Sequence, residues 1–182
     1  KKIFITGHTG FKGTWLSKVL IHMGAEVTGY SDCIQEKSLF DITGLGSKMN
    51  SITGDVRNID KLKNAMKSSE PEIIIHMAAQ ALVRDSYDNP VNTYETNVMG
   101  TVNILEAVRD IKSVKSVVNV TTDKVYENKE WEWGYRENDN LCGRDPYSNS
   151  KSCSELITAS YRQSFFNLET SPAISTVRSG NV

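Results

Sequence analysis

Three cysteines in 182 residues, Cys33, Cys142 and Cys153, are too few, too scattered and odd in number for a disulfide framework or a zinc knuckle. They read as reduced thiols. No apolar run approaches the roughly 20 residues that span a bilayer, and the N-terminus lacks the layout of a secretory signal. The expected compartment is the cytoplasm. Charge of one sign is missing too: 21 Lys and Arg face 22 Asp and Glu, with no basic tail or long single-sign block. Nucleic acid and membrane surfaces are therefore not expected partners. No metal is expected either, because His76 has no second His, Cys or Asp at ligand spacing and reads as a buried, hydrogen-bonded histidine.

What the chain has is alternation. Short β-branched runs, at 2–6, 26–30, 50–53, 72–76, 115–121 and 174–178, are separated by longer stretches of helical spacing at about 11–23, 58–69, 90–110 and 146–166. Runs such as "IIIH" and "VVNV" are apolar on both faces, which suits parallel strands covered by helices on each side. The expected fold is therefore α/β: a Rossmann-like, doubly wound parallel sheet with right-handed crossovers and flanking helices. Two irregular segments remain, 31–49 and 124–145, the second containing the aromatic stretch "WEWGY". Without repeats or low-complexity linkers, 1–182 reads as one domain. It begins on Lys1 and ends at "VRSGNV" just after a strand, which suggests a fragment of a longer protein.

"GHTGFKGTW", residues 7–15, lies between the first strand and the first helix. Gly7, Gly10 and Gly13 allow a tight turn, close approach of backbone to a pyrophosphate, and near packing of helix on strand; the helix start adds N–H donors and partial positive charge. A P-loop would need Gly-Lys-Ser/Thr, and the order here is Lys12, Gly13, Thr14. The turn reads as a dinucleotide cradle, with Thr9, Phe11 and Lys12 beside the glycines. Ser31 stands where an acidic residue usually holds the adenosine ribose, and Asp32 is one residue late. The absence of an arginine at either place favours NAD over NADP. Asp55, in "GDV" after the third strand and beside Val56, is placed to bond an adenine amino group, though a strand-end turn explains it equally well.

"YSNSK" puts Tyr147 and Lys151 four residues apart, on one face of a helix. A neighbouring ammonium favours the phenolate, so the expected effect of Lys151 is to make Tyr147 a usable base nearer neutral pH. Thr122 sits where the fifth strand ends, able to bond the same substrate hydroxyl. With the glycine turn upstream and "HMAAQ" closing the fourth strand, nearly the whole chain resembles an extended short-chain dehydrogenase/reductase.

Within that superfamily, "TTDKVY" places Asp123 and Lys124 next to Thr122, an acid and a base that simple epimerases do not need and sugar 4,6-dehydratases do. Asp-Lys at this point, with "GHTGFKGTWL", "AAQALVRDSYDNP", "NVMGT", "EWEWGYREND" and "DPYSNSK", resembles the CDP-glucose 4,6-dehydratase family. The resemblance implies NAD as cofactor, a nucleotide-sugar substrate, a homodimer through the helices at 90–110 and 146–166, and a C-terminal substrate domain largely missing here. It also implies cofactor contacts at Ala78, Ala79 and Asn97, and substrate contacts at Arg84 and Asn181. A helix-interior contact is the simple alternative for Asn97, and a surface position for Arg84. A related dehydratase or epimerase using another nucleotide, and a non-catalytic dinucleotide-binding regulator, stay open as rivals.

Overall fold

The computed structural model describes residues 1–180, so Asn181 lies outside the described residues. The six strands are β1 (Lys2–Thr6), β2 (Glu26–Ser31), β3 (Asn50–Thr53), β4 (Ile73–His76), β5 (Ser116–Thr122) and β6 (Ala173–Ser179). The helices are α1 (Phe11–His22), α2 (Leu39–Ile42), α3 (Ile59–Ser69), α4 (Val83–Asp88), α5 (Pro90–Tyr94), α6 (Gly100–Arg109) and α7 (Pro146–Phe165). Every neighbouring pair of strands is parallel, in the order β3-β2-β1-β4-β5-β6. The order reverses between β1 and β4, and the loops leaving those two strands diverge there. A crevice opens at the carboxyl edge of the sheet.

Alternation along the strands sorts the core into two layers. Phe4, Tyr30, Ile74 and Val117 pack with Leu62, Met66, Ile104, Leu105 and Val108 from α3 and α6. Ile3, Ile5 and Val27 point the other way, against Leu16 and Leu20 of α1. The expectation of cover on both faces holds for β1 and β2. Further along, Val118 and Val120 are half-buried and Val177 is exposed.

Three segments differ from the sequence reading. The stretch 90–110 is α5 and α6 joined by a π turn, Glu95–Met99. Segment 31–49 contains α2 and a 3₁₀ turn at Leu45–Lys48. Helix α4 buries only Ser86, so it carries no apolar period by which it could be read.

Local chemistry fixes the helix that matters most for function. Asp145 caps α7, its Oδ1 accepting from Ser148 N at 2.9 Å, and Pro146 occupies the first turn. The start of the helix, and with it Tyr147, is thereby set.

Candidate active site at the carboxyl edge of the sheet

A cleft of about 710 Å³ runs along the crevice, lined by the glycine turn, the ends of β2 to β6 and the first turns of α7. Gly7, Thr9, Gly10, Phe11, Lys12, Gly13, Ser31, Asp55, Val56, Ala78, Ala79, Thr122, Lys124, Tyr147 and Lys151 all border it.

The glycine turn is shaped by close approaches. Gly7 has φ +75°, and a Cβ there would come within 2.8 Å of Ala78 N. A Cβ on Gly13 would run into the Gly7 carbonyl, whereas one on Gly10 would meet nothing nearer than 3.5 Å. Gly10 thus leaves backbone open toward the cleft. No side chain caps α1 and no acid sits in its first turn, so its N–H groups and partial positive charge face the cleft without an internal anion. Gln80 Oε1 on the opposite wall is buried with no hydrogen-bond partner. These features fit a dinucleotide pyrophosphate and an added donor group.

Around the turn the side chains are tightly engaged. Thr9 Oγ1 donates to Cys33 O at 2.8 Å, and Lys12 Nζ donates to Ser179 Oγ at 3.0 Å. Ser31 Oγ lies 3.0 Å from His8 Nδ1, and Ser51 Oγ lies 2.7 Å from His8 Nε2. Burial brings His8 down to about 4, so it is neutral at physiological pH. Asp32 borders the cleft alongside Ser31. Asp55 is gripped by Arg57, whose Nε lies 2.9 Å from Oδ2; that hydrogen bond holds the carboxyl below its ordinary value.

At the other end Thr122 is buried, its hydroxyl donating to Asp123 Oδ1 at 3.1 Å. Lys124 Nζ stands 3.5 Å from Asp123 Oδ1. Lys124 borders both the main cleft and an adjoining recess of about 240 Å³, where Asp123, Tyr126, Tyr135 and Arg144 also lie. Asp123 faces the recess and is not part of the main cleft's lining.

The tyrosine differs from the sequence expectation. Burial holds the Tyr147 phenol above its ordinary value; the hydrogen bond to Thr122 pulls it down, and the charges of Asp123 and Asp145 add to the rise. Lys151 is fully buried and donates to Val120 O at 3.1 Å. Desolvation brings its ammonium down to about 8, with the nearby Lys12 charge acting the same way. Burial, not the lysine, decides the phenol in this state.

Asn97 and Arg84 are not among the residues that line the cleft. Asn97 is buried and does not border the cleft: its Oδ1 accepts from Gln80 N, and its Nδ2 donates to Gln80 O and Ser150 Oγ. Arg84 lies exposed on α4, next to Val83, which lines the cleft. His76 is buried, 2.7 Å from Thr6 Oγ1 and 3.3 Å from Thr101 Oγ1, and desolvation takes it down to about 3. Among the described residues there is no cluster of three metal-ligating side chains, and no helix is long and apolar enough to cross a membrane.

Sequence reasoning missed a second construction behind the site. Arg178 of β6 meets Glu155 of α7 at 2.9 Å, with both side chains largely buried. The same guanidinium donates to Tyr126 Oη and Glu137 O and lies over the Tyr126 ring. Tyr126 stacks on Tyr135, and Trp131 packs on Tyr135, so the long 126–145 segment is pinned to the sheet; Trp133 stays exposed. The available signal was Arg178 in register with inward-facing Ile174 and Thr176, together with an acid four residues after Lys151.

A reversing parallel sheet with a glycine turn on one side of the switch point and a Thr-Tyr-Lys group on the other is the architecture of the extended short-chain dehydrogenase/reductases. Within that class, the chain belongs to the family described as GDP-mannose 4,6 dehydratase, whose sequence profile matches residues 4–178. It is 52% identical, over its whole length, to a protein of Salmonella typhimurium named CDP-glucose 4,6-dehydratase, of which it covers 52%. It is 28% identical over 90% of its length to CDP-paratose 2-epimerase of Salmonella typhi, covering 54% of that protein. Among solved structures, Pal from Bacillus thuringiensis matches with a TM-score of 0.82 at 27% identity, covering 96% of this chain and 55% of the other. The Thermus thermophilus UDP-glucose 4-epimerase complex with NAD matches with a TM-score of 0.81 at 26% identity, over 91% of this chain and 52% of the other. The chain spans about half the length of the curated relatives it matches.

Proposed function

We propose that this chain forms the NAD-binding part of a CDP-glucose 4,6-dehydratase, converting CDP-D-glucose to CDP-4-dehydro-6-deoxy-D-glucose with loss of water. The observation that carries the reading is the Asp123–Lys124 pair at the end of β5, beside Thr122 and Tyr147. The 52% identity to the Salmonella typhimurium protein supports the choice of sugar nucleotide. Further chain, in keeping with the greater length of the relatives, would complete the sugar pocket and read the base.

Gly7, Gly10 and Gly13 with the start of α1 would hold the pyrophosphate, Ser31 and Asp32 the adenosine ribose, and Asp55 and Val56 the adenine. A bound oxidised nicotinamide would supply the acceptor for the C4 hydride and its donor at C6, and its positive charge would favour the Tyr147 phenolate. Tyr147 removes the C4 hydroxyl proton, with Thr122 bonding the same oxygen and Lys151 holding the helix turn through Val120 O. The C4 ketone acidifies the C5 proton, which Lys124 takes. Asp123 donates a proton to the departing C6 hydroxyl, so that water leaves; as C6 regains the hydride, Lys124 returns its proton to C5, and the proton taken by Tyr147 goes back through solvent to Asp123.

Proton bookkeeping favours this pair. A charged Asp123–Lys124 pair and a neutral one hold the same number of protons and differ by one transfer across a 3.5 Å gap. Both side chains are largely exposed, where an arriving sugar would cover them.

Exposed Leu82, Tyr87, Val91 and Leu156, on and beside α4, α5 and α7, support association of two copies through these helices. The cytoplasm is the compartment proposed.

The test is incubation of the full-length protein with CDP-, dTDP- and UDP-glucose, reading the ultraviolet absorbance of a 4-keto-6-deoxy sugar in base. Product is expected from CDP-glucose, and none from it would overturn the reading. Tyr147→Phe and Lys124→Met should each lower turnover by about 10²–10⁴-fold. Full dehydration by Lys124→Met, with Tyr147→Phe inactive, would remove Lys124 from the role of base.

A further inference from the structure

We infer that the recess beside the cleft receives the C6 arm of the sugar, and that Arg144 holds the C6 oxygen as it departs. The inference rests on the dehydratase reading above and adds a residue to it. Tyr147 borders the main cleft, Asp123 borders the recess and not the cleft, and Lys124 borders both. The reaction needs its groups in that same order, a base at C4, a base at C5 and an acid at C6, on consecutive carbons. A pyranose ring lying in the cleft against Tyr147 therefore sends its hydroxymethyl arm past Lys124 and into the recess, where the proton donor stands. At about 240 Å³ the recess has room for that arm and for the water it releases.

The other polar side chains around the recess are each engaged by the protein. Tyr126 Oη accepts from Arg178 Nη1 at 2.8 Å, and Tyr135 Oη donates to Asn128 Oδ1 at 3.2 Å. Asp145 accepts from Ser148 N at 2.9 Å and from Ser148 Oγ at 2.6 Å. Arg144 borders the same space, and its guanidinium makes no hydrogen bond or ion pair with any described residue. A planar fork of N–H donors is left for a ligand oxygen. When the C6–O bond breaks, its electron pair leaves with the oxygen, which takes the Asp123 proton and departs as water. Charged donors aimed at an oxygen that gains negative charge lower the barrier to that step, and Arg144 supplies them.

A substrate without the C6 oxygen separates the recess from the cleft. Full-length wild-type protein and the variants Arg144→Met and Arg144→Lys are given CDP-glucose, reading kcat and KM for the 4-keto-6-deoxy product, and CDP-6-deoxyglucose, reading reduced nicotinamide in a single turnover. The analogue can be oxidised at C4 and has nothing to eliminate. Arg144→Met should lower kcat on CDP-glucose by about 10²-fold, change KM by less than about threefold, and leave oxidation of the analogue within about twofold. Arg144→Lys keeps a cation with N–H donors and should recover part of the loss. Arg144 is exposed, so circular dichroism should show both variants folded as the wild type is. Equal losses on both substrates, a rise in KM alone, an analogue that wild type leaves unoxidised, unchanged turnover by Arg144→Met, or loss of fold in both variants would each overturn the inference and leave the dehydratase reading intact. No product from CDP-glucose with the wild type would overturn both.

Discussion

Helices α6 and α7 lie side by side on one face of the sheet and are held there by different physics. Helix α6 buries Ile104, Leu105, Ala107 and Val108 in the apolar core. Every buried position of α7 is polar: Ser148, Ser150, Lys151, Ser152, Ser154, Glu155 and Thr158. Ser154 and Thr158 accept from Asn119 Nδ2 at 2.8 and 2.9 Å, Ser152 donates to Val125 O, and Glu155 takes bonds from Thr121, Thr176 and Arg178. Apolar contact is non-directional and tolerates small slides, whereas hydrogen bonds fix the rotation and register of a helix. The helix that carries Tyr147 and Lys151 is the one given directional bonds, and its neighbour supplies the bulk of the burial.

The comparison breaks most visibly at its strongest polar bond. Arg178→Met should cost about 3–5 kcal/mol, because Glu155 is left buried without its partner; urea unfolding reads the loss. Restoring neutrality with Arg178→Met and Glu155→Leu together should return most of it. A single variant as stable as wild type would show that α7 does not depend on this bond.

A matched pair of substitutions sharpens the contrast further. Leu105→Ala on α6 should cost about 2–4 kcal/mol in stability yet leave turnover of the folded protein near wild type. Ser154→Ala on α7 should cost only about 1–2 kcal/mol while lowering turnover by about tenfold, since Asn119 loses an acceptor and α7 is free to shift. If turnover fell equally in both, directional bonding would carry no special role in the site.

The smallest expected effect near neutrality is that of pH. His8 and His76 have folded values of about 4 and about 3, below the unfolded value of 6.5. Between those limits the unfolded chain binds more protons than the folded one, so stability is full above pH 6.5 and falls as pH drops toward 4 and then 3. The loss per histidine at pH 6 is under about 1 kcal/mol and grows with acid. Thermal midpoints from pH 7.5 to 5 check this, and His76→Asn should flatten the slope; an unchanged slope would remove His76 as a source.

Much of the sheet was legible because β-branched runs declare parallel strands and glycines declare the first turn. Thr122, Tyr147, Lys151 and Lys124 stand together because two strand-end and helix-start signals, some 25 residues apart, meet at one edge. Asn97 and Arg84 rest on likeness to a family alone, since neither apolar period nor turn chemistry marks them in the sequence. The expected acidity of Tyr147 failed for another reason: spacing puts Lys151 on the same face, and only the fold shows that its ammonium turns to Val120 O. The polar face of α7 was hidden because helical period is read from apolar residues, and of those this helix packs only Ile157 and Tyr161, partly buried, against the core. The Glu155–Arg178 pair joins residues 23 apart, so local pattern marks each as inward-facing without pairing them.

Gly29 on β2 stands where an added Cβ would enter the ring of His8, and Gly54 where one would enter the ring of Tyr30. In each pair the large partner is buried and engaged, by Ser31 and Ser51 for His8 and by Asp55 O for Tyr30. Position 29 therefore cannot drift while 8 remains histidine, nor 54 while 30 remains tyrosine. Across a lineage each pair should be inherited as a unit, with a side chain arriving at the glycine only in descendants whose partner has already shrunk.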